Sequence, residues 1–274
     1  MLKIDPLLQS YGSVPTIPRV MAHLLTELDQ PAPDMDRIKR FFAADPGLTC
    51  RILQVANAAN DGPDQVAGTD EAVDLLGLTN LHMLGRTVAE AAPFIVVPGI
   101  NLRQFWRISL NTAKVSRSLA QRVEIDPTTA FTSGMIHAVG EVIMHLGMPY
   151  EMRILDERVQ PFRFGRARAE EKIFGYSYAT VAAEFARKWR FPDTIIVALR
   201  NLPQPFAGGL YDPLIGVLHL AAWRARALEA QFTPEKYASQ FPYEIGWALQ
   251  LDIDAVLEQE AIDWHSTRDS NDTD

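Results

Sequence analysis

The chain has 274 residues, 47% of them hydrophobic and 22% charged, which is enough apolar material for a sizeable core and argues against disorder over most of its length. A lone cysteine, Cys50, excludes an internal disulfide; the N-terminal residues lack the apolar run of a signal peptide, and no apolar cluster approaches the length of a membrane span, so a cytoplasmic protein with no membrane contact is expected. The net charge of −8 belongs to the end of the chain: residues 252–274 hold eight acids against one base, Arg268, while the remainder is near neutral with 25 bases and 26 acids. There is no broad basic stripe of the kind nucleic-acid binders carry, and the small cluster Arg163, Arg166 and Arg168 reads as part of a solvated loop.

Helical spacing recurs along nearly the whole chain. Pro15 to Leu28 carries Val20, Leu24 and Leu28 on one stripe, and Met35 to Phe42 carries Ile38, Phe41 and Phe42 on another. Asp45-Pro46 supplies a cap and a first-turn proline, after which Leu48, Ile52, Val55 and Ala59 predict a helix over 46–59. Asp70-Glu71 opens a segment with Val73, Leu76 and Gly77, and a second segment from Asn80 holds Leu81, Leu84 and Val88 before Pro93. Leu102, Phe105, Trp106, Leu110 and Ala113 continue the pattern to about Val123. Asp126-Pro127 repeats the cap-plus-proline start, and Phe131, Met135, Val139, Val142 and Leu146 then step at helical spacing as one continuous run. Val181, Phe185 and Trp189 precede Phe191-Pro192, then come Asp193 to Asn201, a loop rich in proline and glycine over 203–213, and a helix from Leu214 to Ala230. A terminal helix is expected around Tyr243 to Leu257, and residues 267–274, too polar to pack, are expected to fray. No period-two run competes with these segments, so the fold class is all-α.

Six ordered motifs carry a resemblance to a known family. Pro15-Thr16-Ile17-Pro18 resembles an "LPxLP"-like start; residues 45–59 match "DPALxxRLLxLANSA" almost position by position; residues 72–78 look like "AIxxLGxxxL". Residues 105–110 match "FWxHSL", residues 130–137 match "AFxAGLLHDIG", and Glu171 to Pro192, with Gly175 and Trp189-Arg190-Phe191-Pro192, is similar to "ExxxxGxxHxxxGxxLxxxWxLP". Together they resemble the HDOD family, the HD-related output domain of bacterial signalling proteins, over roughly residues 6–225, and their agreement in order is far more specific than any one of them.

The resemblance implies an N-terminal helical subdomain over residues 1–100, an HD-like helical subdomain over 101–230, and a C-terminal helix with an acidic tail over 231–274. It also locates the positions at which catalytic HD proteins hold metal ligands. Ile108 stands at the first histidine; His137 is retained, but Ala138 takes the aspartate's place; Tyr178 falls where a further histidine often occurs; Asn201 lies at the place of a later histidine pair; and Ala222 replaces the closing aspartate. One surviving ligand cannot hold a metal as three or four do. The resemblance therefore implies an HD fold without HD chemistry: no enzyme, no cofactor, and signal transduction through a protein partner. The alternatives are a pseudoenzyme that binds a nucleotide or cyclic dinucleotide in the old pocket and, behind it, a residual metal-dependent phosphohydrolase.

Residue by residue, plainer readings stand beside these. His137, Glu141 and Tyr178 are candidate ligand or partner contacts, with a hydrogen-bonded histidine in or near the vestigial pocket as the plainer reading of His137. His137, Glu141 and His145 share one helical face, but the spacing is not that of a zinc helix and a solvated polar face is the simpler reading of the three. Cys50 reads as an inert core thiol, and Trp106 and Trp189 as core anchors rather than stacking platforms.

Overall fold

A computed structural model describes residues 4–10, 14–60, 62, 64–91, 96–207, 209, 211–253 and 256. Among them fifteen helices and no strand are present. They run α1 (Ile4–Ser10), α2 (Pro18–Leu28), α3 (Met35–Ala43), α4 (Pro46–Ala59), α5 (Thr69–Ala91), α6 (Leu102–Arg122), α7 (Pro127–Ile136), α8 (Val139–Gly147), α9 (Pro149–Asp156), α10 (Arg166–Phe174), α11 (Tyr178–Lys188), α12 (Asp193–Asn201), α13 (Pro213–Glu229), α14 (Pro234–Gln240) and α15 (Tyr243–Ala248).

The helix starts follow from side chains that satisfy the first free N–H groups. Asp34, Asp45, Asn101, Asp126, Asp212 and Thr233 each accept from the first turn of the helix that follows, and proline opens α4, α7 and α13 where its missing donor costs nothing. Asp45 is buried and does more than cap: besides Leu48 N at 2.7 Å it accepts from Ile17 N, tying the chain ahead of α2 to the start of α4.

α2, α3, α4 and α5 pack on one another, as do α6, α7, α8, α11, α12 and α13. The two groups share one continuous core, because α4 reaches both α6 and α7, and α1 crosses over to lie on α8 and α11. Directed bonds reinforce that junction: Lys188 Nζ donates to the Leu8 carbonyl at 2.9 Å, Thr132 Oγ1 to Ala67 at 2.7 Å, and Trp106 Nε1 to Pro15 at 3.2 Å. Neighbouring aromatics on α6 divide between the two sides. Phe105 is fully buried and stacks on Phe162, whereas Trp106 is half-buried and turned towards the N-terminal residues. Trp189 is likewise half-buried, and Cys50 is buried.

Two expectations are corrected. The continuous run expected through Phe131 and Leu146 is two helices, α7 and α8, separated at His137 and Ala138. The cause is tertiary: a Cβ on Gly140 would lie 2.0 Å from the Tyr178 carbonyl oxygen, so the start of α8 is pressed onto α11 and cannot continue the line of α7. The two segments expected on either side of Gly77 are present: α5 comprises two helical stretches that meet in a kink at that glycine, whose φ of 68° is left-handed. The terminal helix expected over Tyr243 to Leu257 is interrupted after Ala248, with Gln250 in the left-handed region, and a separate short helix, α14, precedes it; residues 254, 255 and 257 of that expected span lie outside the described residues. Pro93 and residues 267–274 lie outside the described residues.

Candidate functional site

The break between α7 and α8 delivers His137 into the interior. It is fully buried, and its Nδ1 sits 2.7 Å from the Gly134 carbonyl, so the proton belongs on Nδ1 and Nε2 is left as an acceptor that meets no hydrogen-bond partner. Burial first, and then the charge of Arg226, hold the ring neutral by pulling its pKa down to about 3, against the raising effect of the Gly134 bond.

Around His137 the positions singled out by sequence fall as follows. Ile108, Ala138 and Ala222 are buried in the apolar core and contribute no donor atom. Tyr178, at the first turn of α11, is buried, and its hydroxyl accepts from Arg226 Nη2. Burial raises the Tyr178 pKa while Arg226 opposes the rise, so the phenol stays protonated. Asn201 is apart from this group: it is half-buried at the end of α12, and its Nδ2 donates to the Val197 carbonyl at 3.0 Å.

Sequence reasoning missed Arg226. It lies one turn beyond Ala222 on α13, with its Cζ 5.6 Å from the centre of the Tyr178 ring, and its field reaches His137, Glu141 and His219. Its signal was a charge at i+4 from the lost aspartate position, on the same face of α13.

The expected solvated face of His137, Glu141 and His145 is corrected outright, since all three are buried. Glu141 and His145 belong to α8 and join an ion cluster centred on Arg166, which the sequence placed in a solvated loop and the structure buries at 1% exposure. Arg166 Nε lies 2.8 Å from Glu170 Oε1 and 2.9 Å from Glu141 Oε1; Nη1 lies 2.8 Å from Asp156 Oδ1 and donates to the Val159 carbonyl. Glu170 Oε2 accepts from Tyr178 N at 2.7 Å, placing a carboxylate at the N-terminus of α11. His145 sits between two acceptors, the Glu141 carbonyl at 2.7 Å and Asp156 Oδ2 at 3.2 Å. The i,i+4 pair Arg166 and Glu170 was the legible trace of this cluster.

The acids of the cluster are driven apart electrostatically. Burial, and then the charge of Glu170, push Glu141 well above the ordinary carboxyl range despite Arg166, and burial raises Glu170 as well. Asp156 also feels burial, but hydrogen bonds from His145 and Arg166 outweigh it and hold its carboxyl below the usual range. The resulting division is chemical: Glu141 holds a proton readily, whereas Asp156 stays anionic.

The HD fold implied by the sequence carries metal in its catalytic members, and the residues present do not fit one. Three of the positions are apolar, the Tyr178 hydroxyl is engaged by a guanidinium, and among the described residues no three His, Cys, Asp or Glu side chains come together in a way that could hold a metal ion. Nor is any helix among the described residues long and apolar enough to cross a membrane.

The family model for the HDOD domain matches residues 14–205, well over half of the chain. Among solved structures, the MmoQ response regulator from Methylococcus capsulatus is similar with a TM-score of 0.72 at 23% identity, over 92% of this chain and 100% of that one. A candidate phosphohydrolase from Shewanella amazonensis is similar at 0.54 and 26% identity, over 92% and 91% of the two chains. An HDOD domain protein of unknown function from Geobacter sulfurreducens is similar at 0.50 and 19% identity, over 90% and 85%. No curated protein is significantly similar to the chain in sequence.

Proposed function

The chain belongs to the HDOD domain family, and on that premise we propose that it is a non-enzymatic signal-transduction protein, working in the cytoplasm through contacts with a protein partner. The observation that carries the reading is the resident cation Arg226. A guanidinium bonded to Tyr178 and acting on His137 and Glu141 opposes entry of a metal ion by like-charge repulsion, and it removes one of the few oxygen atoms a metal would need. The likeness to the Shewanella amazonensis protein supports shared architecture, and function belongs to the site rather than the fold.

Metal analysis and turnover assays test this directly. The purified protein is expected to carry no stoichiometric iron, manganese, zinc or nickel and to leave nucleotides and cyclic dinucleotides intact. Near-stoichiometric metal that disappears in a His137→Ala variant overturns the proposal and restores the phosphohydrolase reading.

A second reading, the pseudoenzyme that accepts a nucleotide in the old pocket, has one observation in its favour: Arg226 Nε is a buried N–H donor without a hydrogen-bond partner and suits a phosphate oxygen, while His137 Nε2, a buried acceptor without a partner, suits a ligand hydroxyl. Saturable thermal stabilisation by a nucleotide, lost on Arg226→Met substitution, would select it over the first.

A further inference from the structure

A cleft of about 400 Å³ opens beside the buried ion cluster, within the size range of small-ligand sites. Gly99 and Asn101 line it from the segment that leads into α6 and Gln104 from the first turn of that helix, and Asp156 at the end of α9 lines it with Gln160 and Arg163 from the connection to α10. The cleft thus lies where the chain passes from its N-terminal helices to the later ones. Gly99 closes tightly on this site: its φ is 79°, and a Cβ there would come within 2.8 Å of Asp156 Oδ2 and 3.1 Å of His145 Cδ2. Asp156 is therefore shared, with Oδ1 on Arg166, Oδ2 on His145, and part of its surface exposed.

The lining selects a chemistry. It offers one carboxylate, one exposed guanidinium and three carboxamides, of which Asn101 Oδ1 already caps α6 and Gln104 Nε2 already donates to Glu229 at 3.2 Å, leaving Asn101 Nδ2, Gln104 Oε1 and Gln160 to a ligand, and it has no aromatic face for a nucleobase to stack on. A single arginine also provides less anion-binding capacity than the two phosphates of a cyclic dinucleotide call for. A compact zwitterion matches both signs at once.

We propose that this cleft binds a free α-amino acid, with its ammonium group on Asp156, its carboxylate on Arg163 and its polar body among Asn101, Gln104 and Gln160. Occupancy draws on the carboxylate that Arg166 and His145 already share, so the buried cluster responds to the ligand, and so does the segment carrying Gly99 into α6. This goes beyond the signalling reading, because it supplies an input at a site separate from the positions of the lost metal ligands.

Calorimetric titration of the full chain with L-glutamine, followed by the remaining proteinogenic amino acids, tests the assignment. At least one is expected to bind saturably with one-to-one stoichiometry and a Kd below about 1 mM. Arg163→Ala, at an exposed position, is expected to leave the melting temperature unchanged and to weaken that binding by about tenfold or more, the effect of losing a charge-assisted pair. Gln160→Ala is expected to weaken it less, and the N-acetylated and C-amidated forms of the same amino acid are expected not to bind. The proposal is overturned if no amino acid binds, if binding is indifferent to Arg163→Ala, or if the blocked forms bind as well as the free one.

Discussion

Arg166 is shared by three carboxylates in a region that sequence assigned to solvent, and its removal tests what the cluster contributes to stability. Breaking a buried ion pair leaves the partners charged and unpaired, so Arg166→Met is expected to destabilise the protein by about 3–5 kcal/mol in urea denaturation. Adding Asp156→Asn to that variant is expected to recover part of the loss, since it removes the carboxylate of the cluster that stays anionic; a double variant less stable than the single one contradicts the assignment. His137 gives a second residue-scale prediction through pH. The unfolded chain binds a proton on this ring near pH 6.5 and the folded one only near 3, so stability contributed by the neutral ring is complete above pH 6.5 and is lost as pH falls. Between pH 6.5 and 5 the loss is about 2 kcal/mol. Asp45 acts in the opposite sense over part of that range, because burial raises its carboxyl to about 6 and the folded protein takes up that proton first. The difference between wild type and His137→Gln isolates the histidine: urea melts at the two pH values are expected to show the variant losing about 2 kcal/mol less than wild type. Equal acid sensitivity in the two proteins would remove His137 from the account.

The elements were legible wherever a local signal set them. Asp45-Pro46 marks the start of α4, Ala59 its end, and Gly77 the kink in α5, because capping, proline and glycine act through neighbouring backbone atoms. The division of α7 from α8 was not legible: hydrophobic spacing runs through it unbroken, and the reason for the break is the carbonyl of Tyr178, some forty residues away on another helix. The site divides in the same way. His137, Ala138 and Tyr178 could be nominated from motif positions, whereas Arg226, Asp156 and the burial of Arg166 depend on which helices meet. Gly140→Ala is the corresponding test. A methyl there overlaps the backbone of α11, so a loss of about 2–3 kcal/mol is expected, together with shifted amide resonances at residues 178–182. A neutral substitution would show that α8 and α11 do not meet so closely.

At the scale of the whole molecule, one core serves both groups of helices. Phe105→Ala removes a fully buried ring from that core and is expected to cost about 3–5 kcal/mol. A fragment of residues 1–100 is expected to lack a cooperative unfolding transition, because α1 and α4 would lose the surfaces of α8, α11, α6 and α7 on which they rest. A sharp melt and dispersed NMR signals matching those of the full chain would refute this.

The attachment of α1 also sets an order of events during synthesis. Leu7 and Leu8 are buried, and the carbonyl of Leu8 is bonded to Lys188, a residue 180 positions later. At ribosomal rates of about 5–20 residues per second, roughly 10–40 s separate the appearance of the first helix from that of its seat. During that interval its apolar side stays unsatisfied on the nascent chain. Final closure of the molecule therefore waits on α11, and α1, made well ahead of its seat, is among the last elements to settle.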